Sequence, residues 1–132
     1  MPDWLERRAL QAAVAVACLV PLSAGLAGVL EGPGMIPGME GWPADMGSHF
    51  RYLSGLLLGL GLVFLSAVPD IGRRTARFQA AGAVVVTGGL ARAGAALSEG
   101  LPGWPHAAAL VMELGVVPAL MLWQRRVARR AA

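Results

Sequence analysis

Residues 9–30 read ALQAAVAVACLVPLSAGLAGVL, a run of 22 residues without a charge. Wound as a helix it rises about 33 Å at ~1.5 Å per residue, enough to cross a hydrocarbon core about 30 Å thick. What the run lacks decides the fold. A helix in a soluble bundle keeps one polar face toward water. Here only Gln11, Cys18 and Ser23 carry a polar side-chain atom. A helix that is apolar all round needs lipid, not water, as its solvent.

The rest of the chain agrees. Of 132 residues, 56% are hydrophobic and only 14% charged, with a mean hydropathy of +0.60. Ordinary soluble domains carry about 25% charged residues. Three further apolar segments follow: Tyr52–Pro69, Phe78–Ser98 broken only by Arg92, and Pro105–Trp123 broken only by Glu113. The expectation is an all-α, integral membrane four-helix antiparallel bundle forming a single domain over residues 1–132. Its spans lie at about 9–30, 50–69, 78–98 and 105–123, with an outer loop at 31–47. A secretory signal peptide has an apolar region of only about 7–15 residues, so the first segment reads as a retained anchor. The twin arginines Arg7 and Arg8 precede it without a soluble cargo behind.

Orientation follows from arginine, since the chain has eleven Arg and no Lys. Nine of them (Arg7, Arg8, Arg73, Arg74, Arg77, Arg125, Arg126, Arg129 and Arg130) flank spans on one side. The other side holds Glu31, Glu40, Asp45 and Glu99, with Arg51 at the membrane edge. Positive charge stays cytoplasmic, which puts both termini inside. Arginine without lysine, beside many Ala and Gly, looks like a GC-rich bacterial genome, so a bacterial inner membrane is the expected location. The pI near 10.4 therefore reflects topology and contact with anionic lipid, not nucleic acid. Trp104 and Trp123, at opposite ends of the fourth span, suit the interfacial aromatic belt. The loop EGPGMIPGMEGWPADMG, residues 31–47, is rich in the turn formers Gly and Pro, and Ser48 after it is a candidate helix cap.

Two charges lie inside the spans. Arg92 is six residues short of Ser98, and Glu113 is eight residues past Pro105. The two spans are consecutive and antiparallel, so the charges fall at similar depth. Each alone costs roughly 2.5–3.5 kcal/mol near a bilayer centre; facing each other they neutralise, with guanidinium gripping carboxylate through two hydrogen bonds. Gly82 and Gly89 share the side of Arg92, and small residues let helices approach. His106 shares the face of Glu113. On the second span Gly55 and Gly59 make a GxxxG packing step, with His49, Arg51 and Tyr52 at its outer end. The expected polar cluster is thus His49, Arg51, Tyr52, Arg92, His106 and Glu113.

Three readings of the cluster stand side by side: a lock between spans, with Arg51 reaching lipid phosphate, an outward-facing pocket for an amphipathic or anionic ligand, or a contact site for a partner membrane subunit. Other chemistries lack their residues. There is no Cys/His metal spacing, no nucleophile set beyond the adjacent Ser48 and His49, no P-loop and no dinucleotide fingerprint. The one cysteine, Cys18, excludes an internal disulfide. No span shows the broken-helix pattern of transporters.

The blocks SHFRYLSGLLLGLGL (48–62), GGLARAGAAL (88–97) and ALVMELGVVPALMLWQ (109–124) resemble the DUF4345 family of small four-span bacterial membrane proteins. That resemblance implies the architecture and no activity. The architecture is also similar to DoxX-like four-span proteins, some of which accompany quinone-linked oxidoreductases. The expected role is a non-enzymatic membrane protein that binds a ligand or serves a larger complex as accessory subunit. The alternative is a quinone-linked redox or small membrane enzyme using the same pocket. No catalytic residue, metal or cofactor is expected beyond a bound lipid or quinone. The expected partners are membrane lipid and either a membrane subunit or a second copy.

Overall fold

A computed structural model describes residues 1–131. The chain is all-helical: α1 spans Asp3–Glu31, α2 Ala44–Ala67, α3 Thr75–Glu99, α4 Trp104–Val111 and α5 Val117–Ala131. Short 3₁₀ turns at Gly32–Met35 and Val68–Asp70 follow α1 and α2, and a π turn over Met112–Val116 joins α4 to α5. Four helical segments are long and apolar enough to cross a membrane: Asp3–Met35, Ala44–Asp70, Thr75–Glu99 and Trp104–Ala131. Among the described residues there is no strand. Leu30, Leu62, Leu90 and Leu122 are exposed by more than half. Such a surface is stable against lipid and not against water.

The helices start earlier than the apolar runs do. α1 opens at Asp3 because Asp3 and Glu6 sit in its first turn, where carboxylates complement the positive end of the helix dipole. α2 opens at Ala44, with Pro43 at the N-cap (φ −60°) and Asp45 in the first turn. Ser48 is therefore not the cap. It lies a full turn inside the helix, which begins at Ala44 directly after the extended Pro43 (ψ 151°).

The chain divides into two compact units, residues 12–68 and residues 1–11 with 69 onward. In the first, α1 and α2 run antiparallel. A Cβ added to Gly25 would lie 2.6 Å from the Leu58 backbone nitrogen, and one on Gly61 would lie 3.0 Å from Leu22. Gly28 closes on Ser54 in the same way. As numbers rise along α2 they fall along α1. The glycine contacts let the backbones meet. In this seam Gly55 stands 3.9 Å from Val29 by its missing Cβ, and Gly59 has no atom within 4 Å of that position. The close approaches belong to Gly25, Gly28 and Gly61 on the two helices.

The loop after α1 is folded on itself. Gly32 ends the helix with a φ of 63°, and Gly38 and Gly41 also take positive φ, a region that glycine enters without steric cost. The Trp42 ring sits against both Gly34 and Gly47: Cβ atoms added there would lie 3.0 Å and 2.9 Å from it. Pro33 is fully buried beneath.

In the second unit α3 runs antiparallel to α4 and α5. Gly82 meets Met121, and a Cβ on Gly89 would lie 2.8 Å from that of Glu113 and 2.9 Å from Leu114. Leu10, Ile71 and Phe78, all nearly inaccessible, form its apolar centre.

The fourth span is not one regular helix. The Val117 N–H bonds to the Met112 carbonyl, five residues back, which is the π pattern. The physical cause is Pro118. It has no N–H for the Leu114 carbonyl, and its ring crowds that carbonyl. The backbone widens one turn earlier to accommodate it. The turn stays hydrogen-bonded, and Trp104–Ala131 runs on as one helical segment.

Candidate functional site

Glu113 lies inside the π turn, opposite Arg92 on α3. Arg92 Nε donates to Glu113 Oε2 at 2.9 Å and Nη2 donates to Oε1 at 3.0 Å. This is the parallel two-bond grip that a planar guanidinium makes on a carboxylate. The absent side chain of Gly89 allows it, since a Cβ there would press on Glu113. The pair is not sealed. The Arg92 side chain is 33% exposed and that of Glu113 18%.

His106, one helical stretch above Glu113, completes the group. Arg92 Nη1 stands 3.1 Å from His106 Nδ1. Arginine has only donors, so Nδ1 accepts. The ring proton of the neutral imidazole is then on Nε2, and that nitrogen is left to donate elsewhere. An open cleft of about 290 Å³ adjoins the group, lined by Arg92, Ala95, Ala96, Glu99, Pro102 and His106 among others. Small alanines form one wall and the α3–α4 turn forms the end.

Of the six residues expected to cluster, Arg92, His106 and Glu113 are thus bonded together in one unit. His49, Arg51 and Tyr52 lie in the other and are exposed. Arg51 has its own task there. Its Nε donates to the Val29 carbonyl at 3.1 Å, and its guanidinium lies on Gly32, where an added Cβ would be 2.7 Å from Nη1. A cation at the last free carbonyls of a helix complements the dipole.

A second polar group sits at the opposite end of the α3–α5 seam. Gln124, fully buried, donates to the Ile71 carbonyl at 2.8 Å and to Thr75 Oγ1 at 2.9 Å. Gln79 donates to Gln124 Oε1 at 3.0 Å and to the Met121 carbonyl at 2.9 Å, and accepts from Arg125 Nε. In the same unit, Glu6 is 3% exposed and is held by Arg126 at 3.0 Å and by Arg130. No buried side-chain polar atom lacks a partner among the described residues, so this end is a satisfied structural network. The signal for it was in the sequence. A lone amide in the third span and another just past the end of the fourth invite the same pairing argument as Arg92 and Glu113. Among the described residues no group of His, Cys, Asp and Glu is arranged to hold a metal ion.

The fold and this intramembrane ion pair define a multi-pass helical membrane protein. Residues 9–124 match the family described as a domain of unknown function, DUF4345, and the chain belongs to that family. Comparison with curated proteins and with solved structures returns no match.

Proposed function

We propose that the protein is a non-enzymatic, small-molecule-binding protein of the bacterial inner membrane, with both termini in the cytoplasm. It takes the head of an amphipathic ligand into the cleft beside Arg92 and His106. The arginine distribution supports the orientation. One observation carries the binding reading: the Arg92–Glu113–His106 group borders an open cleft of about 290 Å³ where a pure lock would be closed over by side chains. A cleft lined by small apolar residues with a few convergent polar groups is the usual form of a ligand site.

Native mass spectrometry of protein released from membranes in a mild detergent tests this. The wild type is expected to carry one retained amphiphile per chain. Ala96→Trp fills the cleft and should release it. Identical small-molecule content in the two proteins would overturn the reading and leave the ion pair as a lock alone.

The alternative, a quinone-linked redox role, draws support from the π turn. Such turns occur frequently at functional sites, and this one carries the carboxylate of Glu113. A quinone retained by the wild type and reduced by a membrane dehydrogenase only in its presence would favour that reading.

A further inference from the structure

We infer that the headgroup held in the cleft is uncharged and presents a hydrogen-bond acceptor such as the carbonyl oxygen of an ester or a quinone. This rests on the ligand-binding reading above and names its ligand class.

The arginine itself suggests an anion, but its charge is already used. Glu113 takes the Nε and Nη2 donors in a bidentate pair, which leaves the two side chains with no net charge between them. His106 takes a donor of Nη1. The cleft wall also holds Glu99, a carboxylate with no ion pair among the described residues. A phosphate or carboxylate headgroup there would face a like charge beside a neutralised cation. Arg92 keeps one free N–H on each of Nη1 and Nη2, but with its charge matched by Glu113 and with Glu99 in the same wall an anion gains little there, and one that displaced Glu113 would strand a carboxylate inside a span.

What the cleft does offer is a donor. Arginine cannot accept, so Nδ1 of His106 faces it without a proton and Nε2 carries the proton. His106 lines the cleft and is exposed, so Nε2–H is available to a ligand. The partner of an N–H is an oxygen lone pair. The adjoining Ala95 and Ala96 add room for an apolar body and supply no polar atom of their own side chains. Arg92 thereby acts as a positioning residue: by occupying Nδ1 it sets which nitrogen of His106 donates.

Three probes with short tails distinguish the cases in phosphatidylcholine nanodiscs: dioctanoylglycerol, a decyl-substituted benzoquinone, and dioctanoyl phosphatidic acid. The first and third differ only by the phosphate, and the first two separate an ester from a quinone carbonyl. Wild-type protein is expected to bind at least one uncharged probe about ten-fold tighter than phosphatidic acid. His106→Phe keeps the ring bulk, removes the donor, and should weaken binding by about three- to ten-fold, the worth of one hydrogen bond. His106→Gln, which can both accept from Arg92 and donate, should recover most of it. Tighter binding of phosphatidic acid, strengthened further by Glu99→Gln, would overturn the ligand class while leaving the binding site standing. No probe binding that Ala96→Trp alters would remove the site itself, and this inference with it.

Discussion

Arg92 and Glu113 are joined by two parallel hydrogen bonds of 2.9 and 3.0 Å, across two helices that a glycine brings together. They stand 21 positions apart in the chain, on either side of the α3–α4 turn. The pair is partly open, so its worth is less than that of a sealed one. Breaking a buried pair costs about 3–5 kcal/mol; partial exposure lowers the expectation here to about 1–3 kcal/mol for either single change. Arg92→Leu and Glu113→Leu are each expected to lower the unfolding midpoint of detergent-solubilised protein. The double variant should be more stable than the sum of the two losses implies. Strict additivity would mean that the two groups do not interact.

Gly89 should be far less replaceable than its neighbour. A Cβ at Gly89 would stand 2.8 Å from that of Glu113, whereas one at Gly88 meets nothing within 4 Å. Gly89→Ala forces α3 away from the π turn and is expected to destabilise by about 1–3 kcal/mol, the range for overpacking. Gly88→Ala should be neutral or slightly stabilising, because alanine favours helix by up to about 1 kcal/mol. Thermal unfolding of the two variants side by side checks the contrast. Equal effects would contradict the packing.

Much of this was legible because lipid leaves so few ways to hide a charge. An arginine and a glutamate in consecutive antiparallel spans had to meet, and Gly82 and Gly89 marked the face on which they did. His106 followed from helical spacing alone. Arg51 was harder. Its placement at a span end is equally compatible with lipid phosphate and with a helix terminus. The choice fell to Gly32, whose positive φ ends α1 where the guanidinium can reach the Val29 carbonyl. The pairing of Gln79 with Gln124 was missed because amides carry no charge to demand a partner. The helix start at Ala44 was missed because no side chain caps it: the N-cap is the extended Pro43, which makes no cap bond, and a serine four residues inside drew the eye.

Arg51 anchors the end of α1, so its loss should be felt locally. Arg51→Met removes the bond to the Val29 carbonyl and keeps most of the stem. Amide hydrogen exchange at residues 29–36 should accelerate, with global stability lowered by about 1 kcal/mol. Gly32→Ala should affect the same segment by a different route, since its φ of 63° costs an L-residue roughly 1–2 kcal/mol. Unchanged exchange in both variants would show that neither residue holds the helix end.

Gln124 tests the satisfied network at the other end of the seam. It bonds Ile71, Thr75 and Gln79 at once. Gln124→Leu is close in volume but leaves the Ile71 carbonyl and the Thr75 hydroxyl without this partner. A buried polar group left unsatisfied costs about 1–3 kcal/mol, and the unfolding midpoint should fall accordingly. A midpoint at or above that of the wild type would show that the amide is not needed for stability.

Pro118 ties the backbone to the ion pair, and this relationship can be separated from both. With Ala at 118 an N–H is restored to the Leu114 carbonyl, and a continuous α-helix becomes available across Met112–Val116. The π turn carries one more residue than an α-turn would, so closing it rotates Glu113 relative to the α5 contacts at Met121 and Gln124. Two effects of Pro118→Ala then oppose each other. Regular helix is regained, worth up to about 3 kcal/mol on propensity scales, while the grip of Arg92 on Glu113 loosens. A midpoint measurement alone could show almost no change. The informative experiment repeats the Arg92→Leu and Glu113→Leu cycle in the Pro118→Ala background. Coupling between the two residues is expected to fall by at least half. Coupling of undiminished size would mean that the α3 contact at Gly89, and not the proline, places Glu113.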